Sequence, residues 1–290
     1  MAAAWTIATV LAAAKEHLDK NDFSSARREA ELLLARALRL SRVDLYTQYD
    51  RPLSDDERGS FKTLLKARLE RQPLQYIIGN QAFRYLELHV EPGVFIPRPE
   101  TELLVERIID AVRAKPGPLA VLELGMGSGA VCLSLAKELP DVHVWAVDIS
   151  LKALTVTEGN AATHGLLDKV TLCQGDMFSA LPAGSGLTFD VVAANPPYVP
   201  TMDIDGLEPE VRDHEPLEAL DGGPTGVRFY ETIAKQAPGY LRPGGLVAFE
   251  VGEGQAGAVS ALLEGAGFSH IEIHKDYNDI ERIVIGRCLN

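Results

Sequence analysis

Four consecutive residues, Asn195, Pro196, Pro197 and Tyr198, carry the groups that an enzyme needs to bind a planar amide. The lone pair of an amide nitrogen is delocalised into its carbonyl, so acceptors must orient its two N–H bonds. The Asn195 side-chain carbonyl and the Pro196 backbone carbonyl are candidate acceptors, because the prolines fix the backbone and donate no N–H. The Tyr198 ring offers a flat apolar face. The motif predicts methyl transfer to an amide nitrogen by positioning and preorganised dipoles, with Asn195, Pro196 and Tyr198 as catalytic residues. The alternative is that the two prolines only turn the chain after a strand.

A second motif predicts a nucleotide-type cofactor. An apolar run, 119–124, leads into Gly125-Met126-Gly127-Ser128-Gly129 and then into a helical pattern. Glycines permit tight turning and close approach to a ligand, and the helix start supplies free N–H groups. Asp148 ends the next apolar run, where a carboxylate can accept both ribose hydroxyl protons. The same glycines also fit a dinucleotide pattern, so these residues alone leave NAD, S-adenosylmethionine and a ligand-free turn open.

Alternating strand and helix patterns position both motifs. From residue 119 onward the apolar runs read as strands with helical patterns between most of them, which predicts a parallel sheet covered on both faces. The predicted strands are 119–124, 142–147, 170–174, 189–194, 246–251, 271–274 and 282–286. Because parallel strands end at one edge, Asn195 and Gly125 should face the same crevice. The last two runs are too close for a crossover helix, so they should pair antiparallel.

The first 75 residues predict helices instead. Residues 27–40 repeat apolar side chains at helical spacing, and Ser54 to Glu57 form a capping box that starts another helix, which Pro73 stops. Residues 1–14 are apolar but lack a basic start, so they predict a first helix and not a signal peptide. Residues 81–90 then alternate as a half-buried strand, with a hairpin turn near Arg84, and a helix is predicted from about 101 to 115.

Composition narrows the classes of function. The 290 residues carry a net charge of −13, and residues 81–290 alone hold 15 basic and 30 acidic residues, which argues against a non-specific duplex-DNA binder. There is no run of 18 apolar residues, so no membrane span is expected. The three cysteines form no CxxC pair, which predicts neither a zinc site nor disulfides and fits a cytoplasmic protein. The histidines are interpreted as surface or strand residues, and no metal is expected.

Six stretches, in this order, resemble the PrmC/HemK family of protein-glutamine N5-methyltransferases. They are 95–102 (Phe-Ile-Pro-Arg-Pro-Glu-Thr-Glu), 123–129, 148–150, 175–178, 195–198 and 250–252. The resemblance implies a seven-stranded Rossmann-like class I methyltransferase domain, mostly parallel with an antiparallel last strand, after a small helical domain. The expected domain bounds are 1–75 for a helical substrate-recognition domain, 76–97 for a β-hairpin linker and 98–290 for the methyltransferase domain.

The resemblance also implies a substrate, a cofactor and their ligands. The substrate would be the Gly-Gly-Gln glutamine of class I peptide chain release factors, and the methyl donor S-adenosyl-L-methionine. The cofactor would be bound by Gly125, Met126, Gly127, Ser128, Gly129, Asp148, Met177 and Asn195. The substrate would be bound by Phe95, Asn195, Pro196, Pro197 and Tyr198. Two positions depart from the family: Glu123 stands where an aspartate is usual, and Met177 where a tryptophan is frequent. Glu123 is expected either to face the amino-acid part of the cofactor or to brace the loop.

Other residues and functions stay open. Arg98 is expected to pair with a nearby acid, and Glu100 and Glu102 either to favour the helix start or to order the substrate pocket. The acidic segment 203–221, which includes His214, is either a mobile loop over the crevice or a solvated loop. The competing functions are methylation of a ribosomal-protein glutamine, nucleic-acid adenine methylation, NAD-dependent oxidoreduction and a catalytically silent cofactor-binding module.

Overall fold

The computed structural model describes residues 5–182, 184 and 186–289 of the 290. The chain divides into two compact units: Met1–Asn80 with Pro209–His214, and Gln81–Glu208 with Glu215–Asn290. The first unit is helical and the second holds the large sheet. Within the described residues, helices α1 to α11 span Ile7–Asp19, Ala26–Leu38, Arg42–Thr47, Asp55–Leu69, Leu74–Ile78, Thr101–Val112, Ala130–Glu138, Leu151–Thr163, Pro209–Arg212, Arg228–Gln236 and Ala256–Gly265. Strands β1 to β9 span Asn80–Phe83, Leu86–His89, Leu119–Leu124, Val142–Asp148, Val170–Gln174, Phe189–Ala194, Leu241–Glu250, Phe268–Lys275 and Glu281–Cys288.

The helical unit folds around the apolar faces of α1, α2 and α4. The predicted stripe on α2 is confirmed, since Leu33 and Leu34 are fully buried in this core. The helix ends at Leu38 and not at residue 40, because Arg39 adopts a left-handed φ of 53° that caps it. The predicted capping box at the start of α4 is confirmed: the Glu57 N–H donates to the Ser54 hydroxyl at 3.2 Å, and the Ser54 N–H donates to Glu57 Oε2 at 2.9 Å.

A buried ion-pair cluster joins the short segment Pro209–His214 to the helical unit. Arg68 is 7% exposed and donates through Nε to Glu29 at 2.6 Å and through Nη1 to Glu210 at 3.0 Å. Arg71 also pairs with Glu210, at 3.3 Å, and both guanidinium groups lie over the Phe23 ring. No pattern in the sequence indicated that this segment, which follows Asn195 in the chain, packs with the helices.

The second unit contains a seven-stranded sheet in the order β5-β4-β3-β6-β7-β9-β8. Strands β5, β4, β3, β6 and β7 are parallel, and β9 runs antiparallel to both of its neighbours. The predicted mostly parallel sheet with an antiparallel last strand is therefore confirmed. Residues of β3 and β6 alternate between two apolar cores, with Val121 and Val191 in one and Leu122 and Val192 in the other, so both faces of the sheet are covered.

Several elements differ in extent from the prediction, among them β7, β8 and α6. Strand β7 begins at Leu241, five residues before the predicted start. Leu241 pairs with Phe189 on β6, and the register of the two strands shifts after this pair. The stretch Pro243-Gly244-Gly245, which in sequence predicts a turn, therefore lies inside the strand. Strand β8 spans eight residues instead of four. Helix α6 starts at Thr101 as predicted but ends at Val112. Ahead of it, β1 and β2 form the predicted hairpin, whose turn residue Arg84 has a φ of 49°.

Candidate active site

The candidate site lies at the carboxyl edge of the parallel strands. Strand β3 is followed by residues 125–129, called the glycine loop below. Strand β4 ends at Asp148, β6 immediately before Asn195 and β7 at Glu250. Since β4, β3, β6 and β7 are neighbours in this order and run in the same direction, their carboxyl ends share one edge. This is the edge where open α/β sheets bind their ligands. Both predicted motifs therefore lie at one and the same edge of the sheet, as expected.

The glycine loop has the conformation that only glycine adopts readily. Gly125, Gly127 and Gly129 have φ values of 81°, 55° and 85°. A Cβ atom at Gly125 or Gly127 would meet only open space, so there the glycine is needed for backbone conformation and leaves room beside the loop. At Gly129 a Cβ would lie 2.8 Å from Thr157 Cγ2, so this glycine permits close packing of α7 on α8. Met126 and Ser128, the residues between the glycines, are each 2% exposed, so they pack beneath the loop.

Buried polar groups of α8 and Asp148 hold the loop in place. The Gly127 N–H donates to Asp148 Oδ2 at 2.9 Å, and the Thr157 hydroxyl donates to the Gly127 carbonyl at 3.0 Å. The Asn160 amide donates to the Ser128 carbonyl at 2.9 Å. Thr157 and Asn160 are almost fully buried and were not predicted. Their signal in the sequence is two polar residues at positions 157 and 160 on the face of α8 that also carries apolar residues.

Asp148 keeps acceptor capacity beyond the loop. Its Oδ1 accepts the Ser150 N–H at 2.9 Å, and the Ile149 N–H also acts on the carboxyl. A carboxylate can accept about four hydrogen bonds, so acceptor capacity remains. Burial raises the pKa of this carboxyl, against the backbone N–H groups of Ser150 and Gly127 that lower it. Met177, the predicted adenine neighbour, opens the turn that follows β5 with a left-handed φ of 44°, which is uncommon outside glycine. It packs against the apolar core on that face of the sheet.

Glu123 braces the start of α7. It is 2% exposed, and its Oε2 accepts the Cys132 N–H at 2.8 Å, which satisfies one of the free donors of the first helical turn. Burial, and to a lesser extent the charge of Asp148, raise the pKa of Glu123 to about 8, although the bond from Cys132 lowers it. Of the two expected roles, the geometry favours bracing the loop.

Asn195 lies in a cluster with two buried residues. Its Nδ2 donates to Thr101 Oγ1 at 3.2 Å, and the Thr101 and Asn195 side chains both lower the pKa of the neighbouring Glu250 carboxyl. Thr101 and Glu250 are 3% and 2% exposed. Among the described residues nothing donates to Asn195 Oδ1 or to the Pro196 carbonyl. The two predicted acceptors are therefore unused within this part of the protein.

Close packing fixes the backbone of Pro197 and Tyr198. The Tyr198 carbonyl accepts from Gln255 Nε2 at 2.8 Å, and Gln255 Oε1 accepts the Gly252 N–H at 3.0 Å. A Cβ at Gly222 would lie 2.8 Å from the Pro197 carbonyl oxygen. Burial and the charge of Glu250 raise the pKa of Tyr198 to about 12, so its ring remains a neutral phenol. Gly222, Gly252 and Gln255 come from distant parts of the sequence and were not predicted.

Arg98, in the stretch 95–102, pairs with an acid that follows residues 195–198, called the amide motif below, in the chain. Its guanidinium pairs with Glu215 and lies 4.8 Å from the centre of the Phe95 ring, and the Glu215 carboxylate also accepts the Ile96 N–H at 3.3 Å. The expectation that Arg98 pairs with a nearby acid is confirmed. Phe95 therefore stacks on the Arg98 guanidinium, whose positive charge also lowers the pKa of Tyr198. Glu215 is 7% exposed, so the acidic segment is anchored here and is not a wholly solvated loop.

The acids at the start of α6 have different surroundings. Glu102 accepts the backbone N–H of Arg84 at 3.1 Å, so it ties the helix to the hairpin. Glu100 precedes the helix and its charge acts on both Glu250 and Tyr198. Of the two, it is Glu100 that lies near the amide motif.

Within 5–182, 184 and 186–289 there is no group of three His, Cys, Asp or Glu side chains that could hold a metal ion. In that range no helix is both long and apolar enough to cross a membrane. Cys132, Cys173 and Cys288 are free thiols.

Known proteins resemble the chain over nearly its full length. The family profile of the PrmC N-terminal domain matches residues 9–79, and that of a methyltransferase domain matches residues 121–214. A release factor glutamine methyltransferase of Geobacter sulfurreducens is 43% identical over 98% of this chain and 97% of its own length. A protein of the same name from Thermodesulfovibrio yellowstonii is 38% identical, covering 91% and 94%. A solved 16S rRNA N2 methyltransferase of T. thermophilus, in complex with AdoMet and guanosine, has a TM-score of 0.52 at 20% identity and covers 72% of this chain and 49% of that one. At that identity the likeness shows a shared fold.

Proposed function

The chain belongs to the family of release factor glutamine methyltransferases, and we propose that it methylates the Gly-Gly-Gln glutamine of class I peptide chain release factors. The methyl group would pass from S-adenosyl-L-methionine to the side-chain amide nitrogen, which makes the enzyme a protein-(glutamine-N5) methyltransferase. The observation that carries the proposal is the pair of unused acceptors, Asn195 Oδ1 and the Pro196 carbonyl, at the same sheet edge as the glycine loop.

The glycine loop and Asp148 fit the methyl donor. Open space beside Gly125 and Gly127 leaves room for a ligand against the backbone, and Asp148 has acceptor sites left for ribose hydroxyl groups. Met177 follows the end of β5 next to the β4 end, where its flexible apolar side chain suits a flat base. When bound, S-adenosylmethionine supplies an electrophilic methyl group on a sulfonium sulfur.

The amide motif does the remaining work through hydrogen bonds. Asn195 Oδ1 and the Pro196 carbonyl would each accept one N–H of the substrate amide, and this orients the nitrogen lone pair for attack. Pro196 and Pro197 donate no N–H that could compete for those acceptors. Tyr198 and Phe95 would pack against the amide plane and exclude water. Because these groups are fixed by buried contacts, little reorganisation is needed during the reaction.

The partner and the location follow the same proposal. The helical unit, which the PrmC N-terminal domain profile matches, would recognise the folded release factor. The acidic balance of residues 81–290, with 15 basic and 30 acidic residues, supports a protein substrate and no direct nucleic-acid contact. We also propose a cytoplasmic location, in keeping with the free thiols.

Radiolabelled methyl transfer tests the function. The protein is incubated with labelled S-adenosylmethionine and a purified class I release factor, and in parallel with a release factor whose Gly-Gly-Gln glutamine is alanine. We expect label in the first and none in the second, which would identify donor, substrate and target residue together. If neither is labelled although cofactor binding is measured by calorimetry, the proposed substrate is wrong.

A further inference from the structure

An asparagine side chain can present either its oxygen or its NH2 group to a substrate. The two orientations have nearly the same shape, but only the oxygen accepts a substrate N–H. Neighbouring hydrogen bonds must therefore select the orientation of Asn195 before it can orient an amide nitrogen. The neighbours that do so are Thr101, at the start of α6, and Glu250, at the end of β7.

The Thr101 hydroxyl makes the cluster directional. Thr101 lowers the pKa of Glu250, so it stabilises the ionised carboxyl. An ionised carboxyl only accepts hydrogen bonds, so the hydroxyl proton of Thr101 must be directed at Glu250. The Thr101 oxygen then has only lone pairs to offer the atom 3.2 Å away, which must be the NH2 group of Asn195. With the amide reversed, the Asn195 oxygen would face two acceptors in a buried site, and its NH2 group would face the substrate NH2 group. The first contact has no proton to share and the second has no acceptor, so both are unfavourable.

We propose that Thr101 and Glu250 are positioning residues for the methylation: they bind the NH2 group of Asn195 and so keep its Oδ1 facing the substrate amide. The inference rests on the proposed function, because it requires an amide as the methyl acceptor. Neither residue touches the substrate in this arrangement, and each acts through Asn195.

Protonation of Glu250 should weaken this selection. Burial raises the pKa of Glu250 to about 7, against the hydrogen bonds from Thr101 and Asn195 and the charge of Arg282, which lower it. A protonated Glu250 can donate to Thr101, whose hydroxyl is then free to donate to a reversed Asn195.

The pH effect can be assigned to Glu250 because of its surroundings. The titratable and charged groups that face it are Glu100, Arg282, Tyr198 and Tyr230. Burial raises the pKa of both tyrosines, that of Tyr198 to about 12, so both stay neutral phenols near neutrality. The arginine stays positively charged, so none of these three groups changes its protonation state in this range. We expect kcat/KM, which reports ionisations of the free enzyme, to fall as the pH falls through about 7.

The first test compares two substitutions at Thr101. Thr101→Val removes the hydroxyl at nearly constant shape, and Thr101→Ser restores it. We expect Thr101→Val to lower kcat by about tenfold or more, Thr101→Ser to stay within about threefold of wild type, and both to bind S-adenosylmethionine as wild type does in calorimetry. Equal kcat for all three proteins would overturn the role of Thr101.

The second test compares pH profiles of kcat/KM, with the release factor as substrate, for the wild type and Glu250→Gln. The variant keeps an acceptor for Thr101 but does not titrate, so its profile should lose the limb near pH 7 and lie below wild type at about pH 8. Glu123, whose pKa is about 8, is present in both proteins and cancels from the comparison. A limb that persists unchanged in Glu250→Gln overturns the proposal. A wild type that labels no release factor would instead contradict the proposed function, so the two failures are distinct.

Discussion

The pKa of Glu123 makes a prediction about stability that needs no substrate. This carboxyl has an ordinary pKa of 4.5 and a folded-state pKa of about 8, raised first by burial and then by the charge of Asp148. A raised folded-state pKa means that its contribution to stability is full below about pH 4.5 and is lost as the pH rises to about 8. At about 1.36 kcal/mol for each pH unit, the gap between the two values corresponds to about 5 kcal/mol of unfolding free energy.

Glu123→Gln removes this loss. The glutamine oxygen can still accept the Cys132 N–H, and it cannot ionise. We expect the variant to match wild type at about pH 5 and to exceed its unfolding free energy by about 2–5 kcal/mol at about pH 8.5, the lower figure allowing for local relaxation around the charge. Urea denaturation at both pH values, followed by the fluorescence of Trp145 on β4, measures the difference.

Glu158→Gln on the exposed side of α8 is the matched control, because it removes the same charge from a solvated position. Its unfolding free energy should stay within about 0.5 kcal/mol of wild type at both pH values. The reasoning is refuted if Glu123→Gln and wild type lose stability in parallel as the pH rises. That result would mean that Glu123 is ionised in the folded protein, and that the Cys132 N–H and the helix start offset its burial.

Three further predictions concern cofactor, substrate and fold. Asn195→Ala should abolish methyl transfer because it removes an acceptor for the substrate amide, while calorimetry should show cofactor binding retained through the glycine loop and Asp148; near-normal turnover would show that Asn195 does not orient the amide. Asp148→Ala should weaken cofactor binding by about 1–3 kcal/mol, the scale for lost charged hydrogen bonds, and unchanged affinity would show that Asp148 does not bind the ribose. Arg68→Met should destabilise the helical unit by about 3 kcal/mol in urea, since it leaves Glu29 buried without its partner, whereas the exposed Arg28→Met should change little.

Local patterns were enough to predict most of the sheet. Strands buried on both faces appear as short apolar runs, so β3, β5 and β6 have the predicted bounds. The start of β7 could not be predicted, because Pro243 and two glycines form a turn signal that pairing with β6 overrides. The joining of Pro209–His214 to the helical unit depends on charges 139 and 142 residues apart in sequence, for which one sequence has no local signal.

The site divides in the same way. Gly125, Asp148 and Asn195 were predicted because each lies directly after an apolar run and has a type suited to its task. Thr101 and Glu250 lie within two of the stretches that resemble the family, but nothing nearby in sequence reveals that they meet Asn195. Residues that touch a ligand are recognisable from motif and position, whereas those that orient them are found only once the strand order brings three elements together.

The charges at the carboxyl edge favour a sulfonium donor over a dinucleotide. Asp148 and Glu250 end two parallel strands, Glu123 is the last residue but one of a third, and burial raises the pKa of each. A raised pKa means that the protein alone does not fully stabilise the ionised forms of these carboxyls, and Glu123, with a pKa of about 8, is mostly protonated near neutrality. The positive sulfur and ammonium group of S-adenosylmethionine would supply a countercharge for the ionised forms, which the anionic pyrophosphate of NAD would not. The same glycine loop that left both cofactors open in the sequence therefore favours the cationic one once the carboxyls around it are known.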